Sequence, residues 1–207
     1  MRGKFINGDC MEYLPKYEDN HFDLAIVDPP YGQVWGNLAD ITSGNKKKMK
    51  NFYKQTKAWD FLPNKDYFKE LSRVSKERLI FGYNYFTDFI GPTNDLIVWD
   101  KMITGNEMFL RFELIYSSKN TSKIFRLSNS KLDKVHPTQK PVALYKWLLK
   151  NYAKEGNLIL DTHVGSASSL IACEDMGFDY VGFELDKDYY QAASKRLENY
   201  LAQLKIF

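Results

Sequence analysis

The chain has 207 residues, 44% of them apolar, and carries 29 basic against 26 acidic side chains for a net charge of +3. That suits one globular domain with an ordinary soluble surface. No apolar run approaches the ~20 residues of a membrane helix, and no signal-type stretch follows Met1-Arg2-Gly3-Lys4-Phe5. Cys10 and Cys173 allow neither a disulfide scaffold nor a four-cysteine zinc site. His21, His136 and His163 are too dispersed for an HExxH site, so no metal is expected. A reduced, cytoplasmic protein is the expectation.

The first predicted element is Phe22-Asp23-Leu24-Ala25-Ile26-Val27, a mostly apolar run stopped by Asp28-Pro29-Pro30. It reads as a strand buried on both faces and ended by prolines that cannot continue a ladder. Residues 33–58 hold six lysines, among them Lys46, Lys47, Lys48 and Lys50, against one aspartate. Tyr67, Phe68, Leu71 and Val74 then recur at helical spacing, and strands are predicted at 79–82, 95–99 and 112–116. Residues 119–134, with Lys123 and Arg126, carry five basic side chains against one aspartate. Both basic stretches lack a helix or strand period and read as surface loops, while the rest of the chain is net acidic. Two basic loops on an acidic body suit a polyanion partner, although a solvated lysine surface has the same composition.

Pro141 is predicted to open a helix to Tyr152. Leu158-Ile159-Leu160 reads as a strand ending at Asp161, followed by a small-residue turn, a helix over 168–176 and a closing Gly177. Tyr180-Val181-Gly182-Phe183 is the next strand, ending at Glu184, and a last helix over about 188–201 is capped by Asp186 or Asp188. Strands alternating with helices give an α/β sheet, largely parallel, with ligands at the carboxyl ends of its strands.

Three sets of residues fall at such ends. The first is Asp161, the turn Gly165-Ser166-Ala167, and Glu184, which lies 23 residues beyond Asp161. A small-residue turn lets backbone and ligand approach closely, and an acid ending the next strand can accept both hydroxyls of a ribose. A plain strand–turn–helix with a capping acid would give the same pattern. The second is Asp28-Pro29-Pro30-Tyr31. An exocyclic amine of a nucleobase is a poor nucleophile because its lone pair is delocalised into the ring. The Asp28 carboxylate and a fixed Pro29 carbonyl can each accept one N–H and localise that lone pair. The prolines keep the loop rigid, and Tyr31 offers a face for an unstacked base. The third is His136-Pro137-Thr138-Gln139-Lys140-Pro141, where a lysine before a helix N-terminus invites an anionic partner such as a ligand carboxylate.

In order and spacing these motifs resemble the beta class of amino-methyltransferases, which modify adenine N6 or cytosine N4 in DNA with S-adenosyl-L-methionine. The likeness also takes in Gly8-Asp9-Cys10, Ile97-Val98-Trp99-Asp100-Lys101 and Val181-Gly182-Phe183-Glu184-Leu185-Asp186, and so spans nearly the whole chain. It implies a single Rossmann-like methyltransferase domain over 1–207, circularly permuted. Its mostly parallel twisted sheet would carry helices on both faces, with basic insertions at about 33–58 and 119–134 for target recognition. By resemblance, Asp28, Pro29, Pro30 and Tyr31 are catalytic. Glu184 would hold the donor's ribose, with Asp186 beside it, and Asp9 with Cys10 would edge its adenine. Asp161, His163, Gly165 and Ser166 would wrap its methionine part, with His136, Thr138 and Lys140 near the carboxylate and Asp28 bordering the donor. Lys46, Lys47, Lys48, Lys50, Lys123 and Arg126 are the expected contacts to double-stranded DNA. Members of the class often dimerise, which makes a homodimer one expected assembly, and many serve restriction-modification. Where the family has Asp-Pro-Phe-x-Gly-x-Gly, this chain has Asp161-Thr162-His163-Val164-Gly165-Ser166-Ala167. The Ala167 methyl and the His163 imidazole are therefore expected to weaken donor binding. An aspartate heading the tetrad favours adenine in the family. Cytosine N4, or a catalytically silent nucleic-acid-binding role, are the alternatives.

Overall fold

The computed structural model describes residues 3–32, 62–103, 111–128 and 138–204. The predicted β2 (Phe22–Val27) follows β1 (Gly3–Asn7). Then come α1 (Lys65–Val74), β3 (Ser75–Phe81), the short α2 (Thr87–Ile90), β4 (Leu96–Asp100), β5 (Phe112–Ser117) and β6 (Ser122–Arg126). The C-terminal part is α3 (Val142–Tyr152), β7 (Leu158–Asp161), α4 (Ser168–Met176), β8 (Asp179–Glu184) and α5 (Lys187–Leu204). Among the described residues no helix is long and apolar enough to cross a membrane.

The strands form one sheet in the order β1-β8-β7-β2-β3-β5-β4-β6. All pairs are parallel except those of β5 with β3 and with β4. β2 is buried on both faces from Leu24 to Val27, as its apolar run there requires. Leu24 and Ile26 pack with Leu144, Leu148, Leu170 and Ile171 of α3 and α4. Ala25 and Val27 face Tyr67, Phe68, Leu71 and Val74 of α1 on the other side. Each Leu, Ile or Val among them contributes roughly 1.5–3 kcal/mol on full burial, which fixes the register: a one-residue slip of β2 would exchange both faces.

This order positions the site. β2 continues through α1 to β3 on one side, whereas β7, its other neighbour, continues through α4 to β8 on the opposite side. The two connections diverge between the carboxyl ends of β2 and β7, leaving the crevice where open α/β sheets bind ligands. Because β7 and β8 come last in the chain, the motif order is permuted, as the resemblance implies.

Two strands went unpredicted. β6 lies inside the stretch 119–134 that was expected to be loop, and it pairs in parallel with β4. Its charged residues stay exposed because it is an edge strand with one neighbour. β1 forms the opposite edge. The other basic stretch, 33–58, lies outside the described residues.

Candidate active site

The crevice at the switch point opens into a cavity of about 280 Å³, close to the lower end of small-molecule sites at about 300–1,000 Å³. Asp28 and Pro30 after β2, Thr138 and Lys140 before α3, and His163, Gly165 and Ser166 after β7 line it, with Glu184 at the end of β8 and Asp9 and Cys10 after β1. Ten sequence-predicted residues from five separate segments thus share one wall.

At the β2 end, the Asp28 carboxylate is held from two directions. The Tyr31 hydroxyl donates to Oδ1 at 2.7 Å, and the Lys140 ammonium pairs with Oδ2. Lys140 is 4% exposed and lies 3.4 Å from Glu113 Oε2, and Lys101 in turn pairs with Glu113 Oε1 at 2.7 Å. Burial pushes the Asp28 carboxyl above its usual range while the neighbouring Lys140 charge opposes it. Lys140 gains from its two carboxylates more than burial removes and stays an ammonium. Within the protein, Asp28 and Glu113 already supply anionic partners to Lys140, which also lines the cavity.

Tyr31 also departs from expectation. Its ring stacks on Tyr85 at 4.7 Å and meets Phe86 edge-on. A side chain on Gly82 would come within 2.3 Å of that ring, so glycine is required there. Tyr31 does not line the cavity, and its role in this arrangement is to orient Asp28. Pro29 is buried beside it, and only Pro30 of the two prolines lies on the wall.

The β7 end is built around Asp161, which lies behind the wall rather than on it. This aspartate is 2% exposed. Its carboxylate accepts the His163 amide at 3.0 Å and the Ser169 hydroxyl, pinning the turn to the first residues of α4. Burial pushes its carboxyl up to about 7. The turn itself is closed by the Gly165 amide, which donates to Glu184 Oε2 at 2.8 Å, and braced by Arg196 of α5, which donates to the Ser166 carbonyl at 2.6 Å. Asp186 caps α5 by accepting from the Asp188 and Tyr189 amides, and is likewise off the wall. Ala167 adopts φ 63° and ψ 20° with no exposure. Its methyl enters the apolar cluster with Leu170 and Ile171, not the cavity.

His163 does line the cavity, and burial lowers its imidazole to about 4, so it is neutral at physiological pH. Its Nδ1 meets Thr162 Oγ1 at 2.9 Å, and that hydroxyl meets the Tyr67 hydroxyl at 2.7 Å. Burial also pushes the Cys10 thiol up to about 12, which removes it as a nucleophile. Asp9 caps the turn beside it by accepting the Met11 amide at 2.9 Å.

Sequence reasoning missed Tyr67, read only as an apolar helix position, and Tyr145, inside the predicted helix to Tyr152; both also line the cavity. It missed Glu113 as well, whose partners Lys101 and Lys140 lie in the segments after β4 and before α3. His136 and the lysines at 46, 47, 48 and 50 are outside the described residues. Lys123 donates to Asn151 Oδ1 at 2.9 Å, at the far end of α3 from the cavity. Arg126 closes β6 at the cavity's edge of the sheet and pairs with Asp100 at 3.2 Å, 62% exposed.

Comparison with known proteins places this arrangement. The family model described as DNA methylase, N6/N4 type, matches residues 28–195. The chain is 27% identical to the type II methyltransferase M.HpaI of Haemophilus parainfluenzae over 96% of its own length and 75% of the relative's. It is 22% identical to the type II methyltransferase M2.DpnII of Streptococcus pneumoniae over 93% and 88% of the two lengths. Among solved structures, the M1.HpyAVI–SAM complex superposes with a TM-score of 0.63 at 20% identity, covering 94% of this chain and 98% of that one. The cytosine-N4-specific PvuII DNA methyltransferase superposes with a TM-score of 0.64 at 12% identity, covering 97% and 91%. These structural likenesses establish the fold. With a family match that starts at Asp28 and runs through Glu184 into α5, the chain belongs to the N6/N4 family of S-adenosylmethionine-dependent DNA methyltransferases.

Proposed function

We propose that this protein methylates the N6 amine of adenine in double-stranded DNA, the target base being everted from the helix into the cavity beside Asp28. One observation carries the reading: Asp28 and Glu184, from strands on either side of the switch point, open onto the same cavity. Bound there, S-adenosylmethionine supplies an electrophilic methyl group on a positively charged sulfur.

The wall fits such a donor. Each Glu184 oxygen already accepts one backbone amide, from Gly165 and from Asp186, so the carboxylate is fixed and keeps lone pairs for two ribose hydroxyls. Asp9 and Cys10 would edge the donor's adenine, and Gly165, Ser166 and Thr138 its methionine part. The neutral His163 adds no positive charge near the sulfonium. Asp28 would accept an N–H of the target amine. Its two oxygens are fixed by Tyr31 and Lys140 before the base arrives, so little reorganisation is left for the reaction itself. Eversion costs a few kcal/mol, offset by contacts to the base and the displaced strand. For DNA we assign phosphate contacts to Lys46, Lys47, Lys48, Lys50 and Arg126. The aspartate heading the tetrad supports adenine over cytosine.

Mass spectrometry of nucleosides from DNA incubated with enzyme and donor is expected to find N6-methyladenine. The Asp28→Ala variant should lose transfer while retaining donor affinity in calorimetry. N4-methylcytosine as the product would overturn the choice of base. Near-normal turnover by the variant would overturn the assignment of Asp28.

A further inference from the structure

Four charges of alternating sign run through the floor of the site: Lys101, Glu113, Lys140 and Asp28. β5 runs antiparallel to its neighbours, so Glu113, its second residue, lies opposite Trp99 at the edge of the sheet where Asp28 stands. Lys101 follows directly after β4. All four side chains are at most 17% exposed. Each ammonium also sits over an aromatic ring, Lys140 on Phe81 at 4.7 Å and Lys101 on Trp99 at 5.2 Å. Glu113 Oε2 is buried without a hydrogen-bond partner and meets Lys140 only as a charge.

A buried carboxylate with a lysine to itself is a poor acceptor for anything else, because the ammonium holds its electron density. Here the ammonium is shared. We propose that Glu113 is a positioning residue for methyl transfer: by drawing part of the Lys140 charge away from Asp28, it keeps the Asp28 carboxylate a strong acceptor for the target amine. This rests on the reading of Asp28 given above. Glu113 does not line the cavity and touches no substrate; it acts through Lys140.

The sign of the effect separates this role from a structural one. Besides Lys140 and Glu113, the groups felt by Asp28 are the hydroxyls of Tyr31, Tyr67 and Tyr145 and the buried Asp161. The variants below leave all of these in place. In Glu113→Gln, Asp28 keeps the Lys140 charge for itself. Its proton is then lost more easily, and the acid limb of kcat/KM moves to lower pH while kcat falls at least about tenfold. Donor affinity stays within about twofold. Glu113→Asp, which restores the charge, recovers most of kcat. Lys101→Gln removes a cation and leaves Glu113 in place, so the limb moves the opposite way, to higher pH.

The measurements are pH–rate profiles of the three variants on DNA with saturating donor, with donor affinity by calorimetry. Shifts of opposite sign for Glu113→Gln and Lys101→Gln are the expected result. A Glu113→Gln enzyme with kcat within twofold of wild type, or a limb that stays or moves upward, overturns the proposal. Should Glu113→Gln fail to fold, a Lys101→Gln limb that does not move upward overturns it alone. Failure of the underlying reading looks different: an Asp28→Ala enzyme that still turns over removes Asp28 itself, whatever Glu113 does.

Discussion

The Gly165 amide donates to Glu184 Oε2 at 2.8 Å, tying the turn after β7 to the end of β8. The other oxygen accepts the Asp186 amide at 2.9 Å, so one carboxylate sets the relative position of two walls of the cavity. Glu184→Gln would turn an amide NH2 towards one of these N–H donors, leaving a repulsive contact where a charge-assisted bond stood. Hydrogen bonds to a charged group contribute about 1.5–3 kcal/mol each, and about 1.4 kcal/mol is tenfold in affinity. The expected loss of S-adenosylmethionine affinity on removing one such bond is therefore about 10- to 100-fold by calorimetry. An affinity within threefold of wild type would take Glu184 out of the donor site.

Asp161 and His163, two residues apart, are perturbed by burial in opposite senses. The Asp161 carboxyl rises from 3.8 to about 7, so its proton is held more tightly in the folded chain. Its contribution to stability is complete below about pH 4 and is lost as pH rises to 7. The His163 imidazole falls from 6.5 to about 4, so its contribution is complete above about pH 6.5 and is lost as pH falls to 4. Between pH 4 and 6.5 the two slopes oppose each other. Asp161→Asn should therefore gain stability relative to wild type as pH rises from 4 to 7, with a ceiling of about 4 kcal/mol at 1.36 kcal/mol per pH unit. His163→Phe should gain relative to wild type as pH falls from 6.5 to 4. Calorimetric Tm values across pH 4–8 read both; curves parallel to wild type would mean that neither group is perturbed as described.

What was legible in the sequence follows from where the physics is local. β2 announces itself because burial on both faces demands the apolar run Leu24 to Val27, and the prolines at 29 and 30 end it. α4 announces itself because Gly177, in the left-handed region at φ 76°, closes it where the small-residue turn had opened it. β6 was hidden because an edge strand with Ser122, Lys123 and Arg126 exposed has the composition of a loop. Asp28, Pro30, His163, Gly165, Ser166 and Glu184 were found because their motifs mark strand ends, which line up along one edge of a parallel sheet; Asp9 and Cys10, after the unpredicted β1, came from the family resemblance alone. Lys140 was noticed for its place before a helix, but its partner Asp28 is 112 positions away. No local pattern records such a pairing, nor that of Glu113 with both lysines. The packing of Tyr31 was hidden for a related reason: the ring's neighbours Tyr85 and Phe86 approach from another strand's end.

Ala167 tests the link between the turn and the donor. Its left-handed backbone costs a non-glycine residue roughly 1–2 kcal/mol, and its buried methyl returns about 0.8 kcal/mol. Glycine would remove the first but lose the second, along with about 0.5–1 kcal/mol of backbone entropy. Ala167→Gly is therefore expected to change stability by less than about 1 kcal/mol, whereas a branched Ala167→Val, which cannot adopt φ 63° without strain, should lose several. Because the methyl points into the core with Leu170 and Ile171, the variant that restores the family's glycine should bind S-adenosylmethionine within about twofold of wild type. A tenfold gain would mean that the methyl does reach the ligand, as the sequence alone had suggested. Chemical denaturation and calorimetry on the same two variants decide between the two accounts.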